Sequence, residues 1–169
     1  MMSEAIYDSN GNVIEGVVTR YYEEGKILSE TPYKNGLVNG VVIEYYYEGS
    51  VSSKSEYVDG MLNGMTIIYY PSGVISEEIP YKNGKISGIK RRFYENGAIA
   101  EEAGYARDVL NGEVKLYNVD GTLIKIQYFR KGEEIDQEDV GKYREELDRK
   151  KAEEVKVECL SEEDMKRLL

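Results

Sequence analysis

The chain has no histidine, no tryptophan, a single cysteine (Cys159), 2 phenylalanines and 3 prolines. Each scarcity removes a class of function. Without histidine there is no Ser-His-Asp or Cys-His nucleophilic centre, and the commonest protein metal ligand is missing. One cysteine excludes an internal disulfide, and near the C-terminus it reads as a packing residue. No G-x-x-x-x-G-K-[ST] run exists, so there is no P-loop. The opening MMSEAIYDSNGN lacks a basic and an apolar region, and no apolar run approaches membrane-spanning length, so the expected location is cytoplasmic.

Basic residues are also in deficit. Against 32 Asp and Glu there are 22 Lys and Arg, a formal charge of −10. That balance repels phosphate backbones and anionic lipid in bulk, leaving nucleic acid disfavoured and a membrane secondary. It favours a basic partner.

What is abundant is tyrosine, 16 residues, and glycine, 17. Tyrosine suits sheet surfaces on which the ring packs and the hydroxyl stays wet. Both residues are periodic. Gly16, Gly40, Gly64, Gly88 and Gly112 are 24 residues apart, as are Gly25, Gly49, Gly73, Gly97 and Gly121. Between them recur the pairs Tyr21-Tyr22, Tyr45-Tyr46, Tyr69-Tyr70 and Phe93-Tyr94, fading to Tyr117-Asn118, and a single aromatic at Tyr33, Tyr57, Tyr81, Tyr105 and Phe129. Each unit holds two X-Gly turn signals, such as Glu24-Gly25 and Asn35-Gly36, the signature of two-residue hairpins. The reading is a continuous antiparallel meander of hairpins.

Two-residue turns set Tyr22 opposite Ile27 and Tyr33 opposite Val38. Alternation then places Tyr22, Ile27, Tyr33, Val38 and Gly40 on one face, with the equivalents in later units. The unit-opening glycine is expected to leave room for a neighbouring ring. Val41, Ile43, Tyr45, Met65, Ile67, Tyr69, Ile89, Arg91 and Phe93 fall on the other face. The division is an N-terminal partial repeat or edge strand over residues 1–15, five hairpin units over 16–135, and a helical tail over 136–169. In the tail, Asp136 caps a helix running to about Glu154 with a Val140, Tyr143, Leu147 stripe. A short extended piece at Val155 and Val157 follows, then a second helix from Ser161 with Leu160 stapled to Met165 and Leu168 and Leu169 on its apolar side. This tail packs on, or caps, the sheet.

No constellation carries chemistry. Asp8-Ser9-Asn10-Gly11-Asn12 reads as a turn rather than a calcium loop. Glu77-Glu78 and Glu101-Glu102 are strand neighbours that point to opposite faces. The remaining candidates are the aromatic row Tyr21, Tyr45, Tyr69, Phe93 and Tyr117 as a partner-binding surface, and the basic run Lys90, Arg91 and Arg92 as an anion or lipid contact, against which stands a solvated edge or pairing with the repeats' own acids. The first strand, near Ile6 to Ile14, is an open edge that could pair with a partner or a second copy in a homodimer.

The stretches YYEEGKILSETPYKNGLVNG and YYPSGVISEEIPYKNGKISG resemble the MORN-repeat family, in particular the MORN variant repeats of bacterial proteins. The resemblance covers roughly residues 16–132. It implies a mainly β fold, hairpins stacked into an elongated, twisted single sheet, followed here by C-terminal α-helices. It also implies a non-enzymatic protein-binding module with no cofactor. Bacterial proteins of this kind are often classed as antitoxins or immunity-like partners of toxins; other MORN proteins are scaffolds or associate with membrane lipids. Asp108 in place of a turn glycine, Asn118 in place of a tyrosine, and the helical tail depart from the pattern.

Overall fold

Among the described residues fourteen strands follow from this alternation of β-rich runs and glycine turns, and one helix comes after them. The structure, a computed structural model, describes residues 5–167 and the side chains of residues 5–153. In order the strands are β1 (Ile6–Tyr7), β2 (Val13–Tyr21), β3 (Ile27–Lys34), β4 (Leu37–Val38), β5 (Gly40–Tyr45), β6 (Val51–Val58) and β7 (Met61–Tyr69). They continue as β8 (Ile75–Lys82), β9 (Lys85–Ile86), β10 (Gly88–Phe93), β11 (Ile99–Ala106), β12 (Val109–Tyr117), β13 (Leu123–Arg130) and β14 (Glu133–Glu134), and end in α1 (Val140–Arg167). All strands belong to one open antiparallel sheet, ordered as in the sequence, with β4 beside β3 and β9 beside β8. At about 4.8 Å per strand the ribbon is roughly 50 Å long.

The two turns of each unit are different. At Asn35-Gly36, φ is +51° and +79°, and Tyr33 pairs with Val38, the type I′ hairpin expected. Asp59-Gly60, Asn83-Gly84, Arg107-Asp108 and Lys131-Gly132 share its positive angles. These turns stack, because Gly60 donates its N–H to the Val38 carbonyl at 2.8 Å and Gly84 to that of Leu62 at 2.8 Å. The other turn is not the two-residue turn expected. Gly25 donates to the Tyr22 carbonyl, Tyr22 donates to that of Lys26, and only the glycine has positive φ. This is a three-residue turn with a glycine bulge.

That turn corrects the register. Ile27 faces Tyr21, not Tyr22, and Val51, Ile75, Ile99 and Leu123 likewise face Tyr45, Tyr69, Phe93 and Tyr117. A bulge one residue further on restores the pairing, so Arg20 faces Ser29. The aliphatics therefore belong with the first aromatic of each pair, on the face opposite Tyr33 and Tyr57.

Every unit-opening glycine lies directly across from an aromatic: Gly16 from Tyr33, Gly40 from Tyr57, Gly64 from Tyr81, Gly88 from Tyr105 and Gly112 from Phe129. Its purpose is not to admit that ring. At Gly40, where φ is +117°, an added Cβ would come within 3.1 Å of the Pro32 side chain, and at Gly64, where φ is +133°, it would collide with Glu56. The glycine serves a strand irregularity that only glycine adopts, packed under the neighbouring strand's side chain. One period after Gly112 the residue is Asp136. The chain still makes the Ile135 N–H to Tyr128 carbonyl bond, 2.8 Å, that matches Asn39 to Pro32 in an earlier unit. It then leaves the sheet.

The core is a band across the glycine-bearing face. Thr66, Ile79, Ala103 and Val114 are buried there, with Ser29 in the adjoining row. On the other face Tyr128 and Tyr143 are buried. Tyr143 donates to the Phe129 carbonyl at 2.7 Å and meets the Tyr128 ring edge-on at 6.5 Å, while Arg130 lies over it at 4.6 Å and pairs with Glu146 at 2.8 Å. Leu147 and Lys151 continue over Gly88, Ile89, Gly104 and Glu113. Thus α1 crosses the strands of β10–β13.

The tail differs from the sequence expectation. One helix replaces two helices and an extended piece. Its first helical residue follows Asp139, whose carbonyl accepts from Tyr143 at 3.1 Å, so the start is not capped by Asp136. Glu, Lys, Arg, Leu and Ala are strong helix formers, and two isolated valines do not break such a run. The expected side-chain roles of Val155, Val157, Cys159, Leu160 and Met165 lie outside the described residues, as do Leu168 and Leu169.

Candidate partner-binding surface

The face crossed by α1 carries three parallel bands, because pairing in register lines equivalent residues across the strands. Next to the type I′ turns run Val17 and Pro32, Val41 and Glu56, Met65 and Pro80, Ile89 and Gly104, then Glu113 and Tyr128. Gly104 stands where other units place proline, glutamate or tyrosine. That smooth position is where α1 crosses.

The middle band is charged. Glu30, Ile43, Lys54, Ile67, Glu78, Arg91, Glu102, Lys115 and Ile126 are successive partners across the sheet. Arg91 bonds Glu102 at 2.9 Å and reaches Glu78 at 3.5 Å, and Lys115 bonds Glu113 at 2.8 Å. Burial pulls the Glu102 carboxyl up. Hydrogen bonds from Arg91 and Tyr117, with the nearby positive charges, outweigh it and hold the group below the usual value.

The third band is apolar and lies toward the three-residue turns. It alternates Tyr21, Ile27, Tyr45, Val51, Tyr69, Ile75, Phe93, Ile99, Tyr117 and Leu123. Tyr21, Ile27 and Leu123 are exposed and the others half-buried. All five candidate aromatics are therefore in one row. Two are anchored at their tips: Tyr45 donates to Glu30 at 2.6 Å and Tyr117 to Glu102 at 3.0 Å. The hydrogen bond to Glu30, with some burial, pushes the Tyr45 hydroxyl up to about 12. At the position equivalent to Glu30 and Glu102, the unit of Tyr69 has Lys54 instead of an acid, and Phe93 has no hydroxyl.

The second aromatic of each pair does something else. Tyr22, Tyr46, Tyr70 and Tyr94 each donate to the backbone carbonyl of the first aromatic one unit on, at 2.8, 2.6, 2.7 and 2.8 Å. This ladder ties unit to unit and was not foreseen from the sequence, although the strict pairing of aromatics was its signal.

The basic run is divided between the faces. Arg91 joins the charged band, while on the opposite face Lys90 bonds Glu77 at 2.8 Å and Arg92 bonds Glu101 at 2.6 Å. All three cations are paired with the repeats' own acids, and they do not form one patch.

Scanned against protein families, the chain matches the MORN repeat variant over residues 14–35, 38–59 and 62–83. Three of its units match the MORN repeat variant. Each matched stretch closes on the first residue of a type I′ turn, Asn35, Asp59 or Asn83. The next two units lie outside the matched stretches yet keep the same turns, glycine–aromatic pairs and ladder bond from Tyr94 to Tyr117. The MORN repeat is in general a non-catalytic module that binds proteins or membranes. No curated protein matches the chain. Among the described residues no helix is long and apolar enough to cross a membrane.

Proposed function

We propose that this protein is a non-enzymatic binding module that holds a partner protein against the row Tyr21, Tyr45, Tyr69, Phe93 and Tyr117. The observation that carries this reading is the band itself. Aromatic and aliphatic side chains alternate across five units, half-exposed, and α1 crosses the same face along the other margin. Rings set by cross-strand packing, two of them tethered at the tip, offer contact area at low entropic cost. A chain charge of −10 favours a basic partner and its rapid encounter. An antitoxin or immunity-type role, in which this cytoplasmic protein masks a basic toxin, fits that combination.

The alternative, a scaffold on membrane lipid, relies on Lys90, Arg91 and Arg92. Their pairing with Glu77, Glu78, Glu101 and Glu102 speaks for the protein partner. Affinity capture from the native host separates the two readings. Retention of one basic protein, lost when Tyr45, Tyr69 and Phe93 are replaced by threonine, supports the binding module. Sedimentation with anionic vesicles, and no protein retained, would support the scaffold.

A further inference from the structure

We propose a second docking site, separate from the aromatic row: the outer edge of β13, from Leu123 to Gln127, which takes an extended segment of another protein. The site exists because the repeat stops halfway through a junction. In the interior, β3 is covered on its outer side by β5, with Ser29 opposite Glu44 and Glu30 opposite Ile43. Shifted by four units, those positions in β13 are Lys125 and Ile126. The strand that would cover them begins at a glycine, and the residue there is Asp136. So β14 covers only Phe129 and Arg130, Ile135 takes the Tyr128 carbonyl, and among the described residues no strand neighbours the rest of the edge. Leu123, Ile124 and Ile126 are exposed along it at 51, 58 and 38%. An unpaired edge with apolar side chains is a template for strand addition.

Charge and space narrow the occupant. A second copy continuing the array would bring its β2 against β13 and set Arg20 opposite Lys125, two cations in direct register. It would also drive residues Val13 to Glu15, with β1 beside them, into the place β14 and Ile135 fill. Two β13 edges paired about their common centre would set Lys125 against Lys125. A free strand meets neither obstacle. The fitting segment is about five residues long, with a carboxylate opposite Lys125 and an apolar side chain opposite Ile126.

The interior strand β5 has that pattern, with Glu44 and Ile43 at the matching positions, so it supplies the probe. A synthetic peptide with the sequence of residues 41–46, carrying a polyethylene glycol tail for solubility, is titrated into the whole protein and followed by amide hydrogen exchange. The expected result is saturable binding with protection confined to residues 123–127. Lys125→Glu, an exposed change, weakens binding roughly fivefold, and a peptide with lysine in place of its glutamate restores it. The site is refuted by no binding, by protection on the aromatic row or on β2, or by affinity indifferent to the charge swap. Concentration-dependent self-association of the protein without peptide, abolished by Ile126→Pro, would assign the edge to a second copy and equally overturn the proposal.

Discussion

The Tyr46 hydroxyl donates to the backbone carbonyl of Tyr69, 2.6 Å away and one unit further along the chain. With the bonds from Tyr22, Tyr70 and Tyr94 it forms a ladder parallel to the sheet's long axis, joining unit to unit at the end of the strands away from the stacked type I′ turns. A repeat array is stabilised by its nearest-neighbour interfaces. Tyr46→Phe and Tyr70→Phe are each expected to lower unfolding free energy by about 1 kcal/mol in urea titrations, the net worth of a typical hydrogen bond. Asn118→Tyr should give no matching gain, because the position one unit beyond Tyr117 is Gly141, in α1 and not in a strand.

The opening glycines should be less replaceable than the turn glycines. Gly40→Ala combines φ +117° with a 3.1 Å approach to Pro32, whereas Gly73→Ala has φ +85° and open space around it. Strain alone is worth about 1–3 kcal/mol. Gly73→Ala should cost an amount within that range and Gly40→Ala more, as read from thermal or urea denaturation.

The Tyr45–Glu30 bond predicts an alkaline limb. The Tyr45 hydroxyl is raised to about 12 from 10.0, so the folded protein keeps a proton that the unfolded chain releases between those values. The corresponding stability is complete below pH 10 and is lost as pH rises toward 12. Tyr45→Phe should flatten that part of the stability–pH curve and leave the neutral region's slope unchanged. At the acid end, Glu102 is held below its ordinary 4.5, so its contribution is present above that value and falls away as pH drops further. Glu102→Gln should remove that component.

Tyr143 is the pin of α1, 3% exposed and bonded to the Phe129 carbonyl. Tyr143→Ala is expected to cost about 3 kcal/mol at the helix–sheet contact. Hydrogen exchange should then accelerate in α1 and around Tyr128 while the first three units keep their protection. Uniform acceleration through the sheet would mean that α1 supports the whole array.

Much of this architecture is legible in the residues, since a 24-residue period with two glycine signals leaves few alternatives to a hairpin meander. The type I′ turns are readable because Asn35, Asp59 and Asn83 tolerate positive φ. The other turn is less readable: Glu24, Glu48 and Ser72 precede its glycine and are poorly suited to positive φ, but Asn96 and Asp120 hold the same place in the last two units and make the same bulge. Missing it displaced Ile27 and its equivalents by one face, as any one-residue slip in a strand does. The five binding candidates kept a common face because the slip falls after them. What the sequence could not reveal is the place of α1, which depends on Gly104 and Gly112 being brought beneath Leu147 by the fold. It also could not reveal which acids the basic run meets: Glu77 for Lys90, Glu78 and Glu102 for Arg91, and Glu101 for Arg92.

The central claim is that the row through Tyr45, Tyr69 and Phe93 holds the partner. It is tested most directly by titrating the partner captured from the native host against the wild type and against the Tyr45→Thr, Tyr69→Thr, Phe93→Thr variant. Threonine preserves strand propensity, circular dichroism confirms the fold, and Lys82→Ala with Lys85→Ala, at the type I′ turn end, serves as the control. The account predicts affinity at least a hundredfold weaker for the triple variant, from three interface aromatics of roughly 1 kcal/mol or more each, and no change for the control. Equal affinity for the wild type and the triple variant would contradict it.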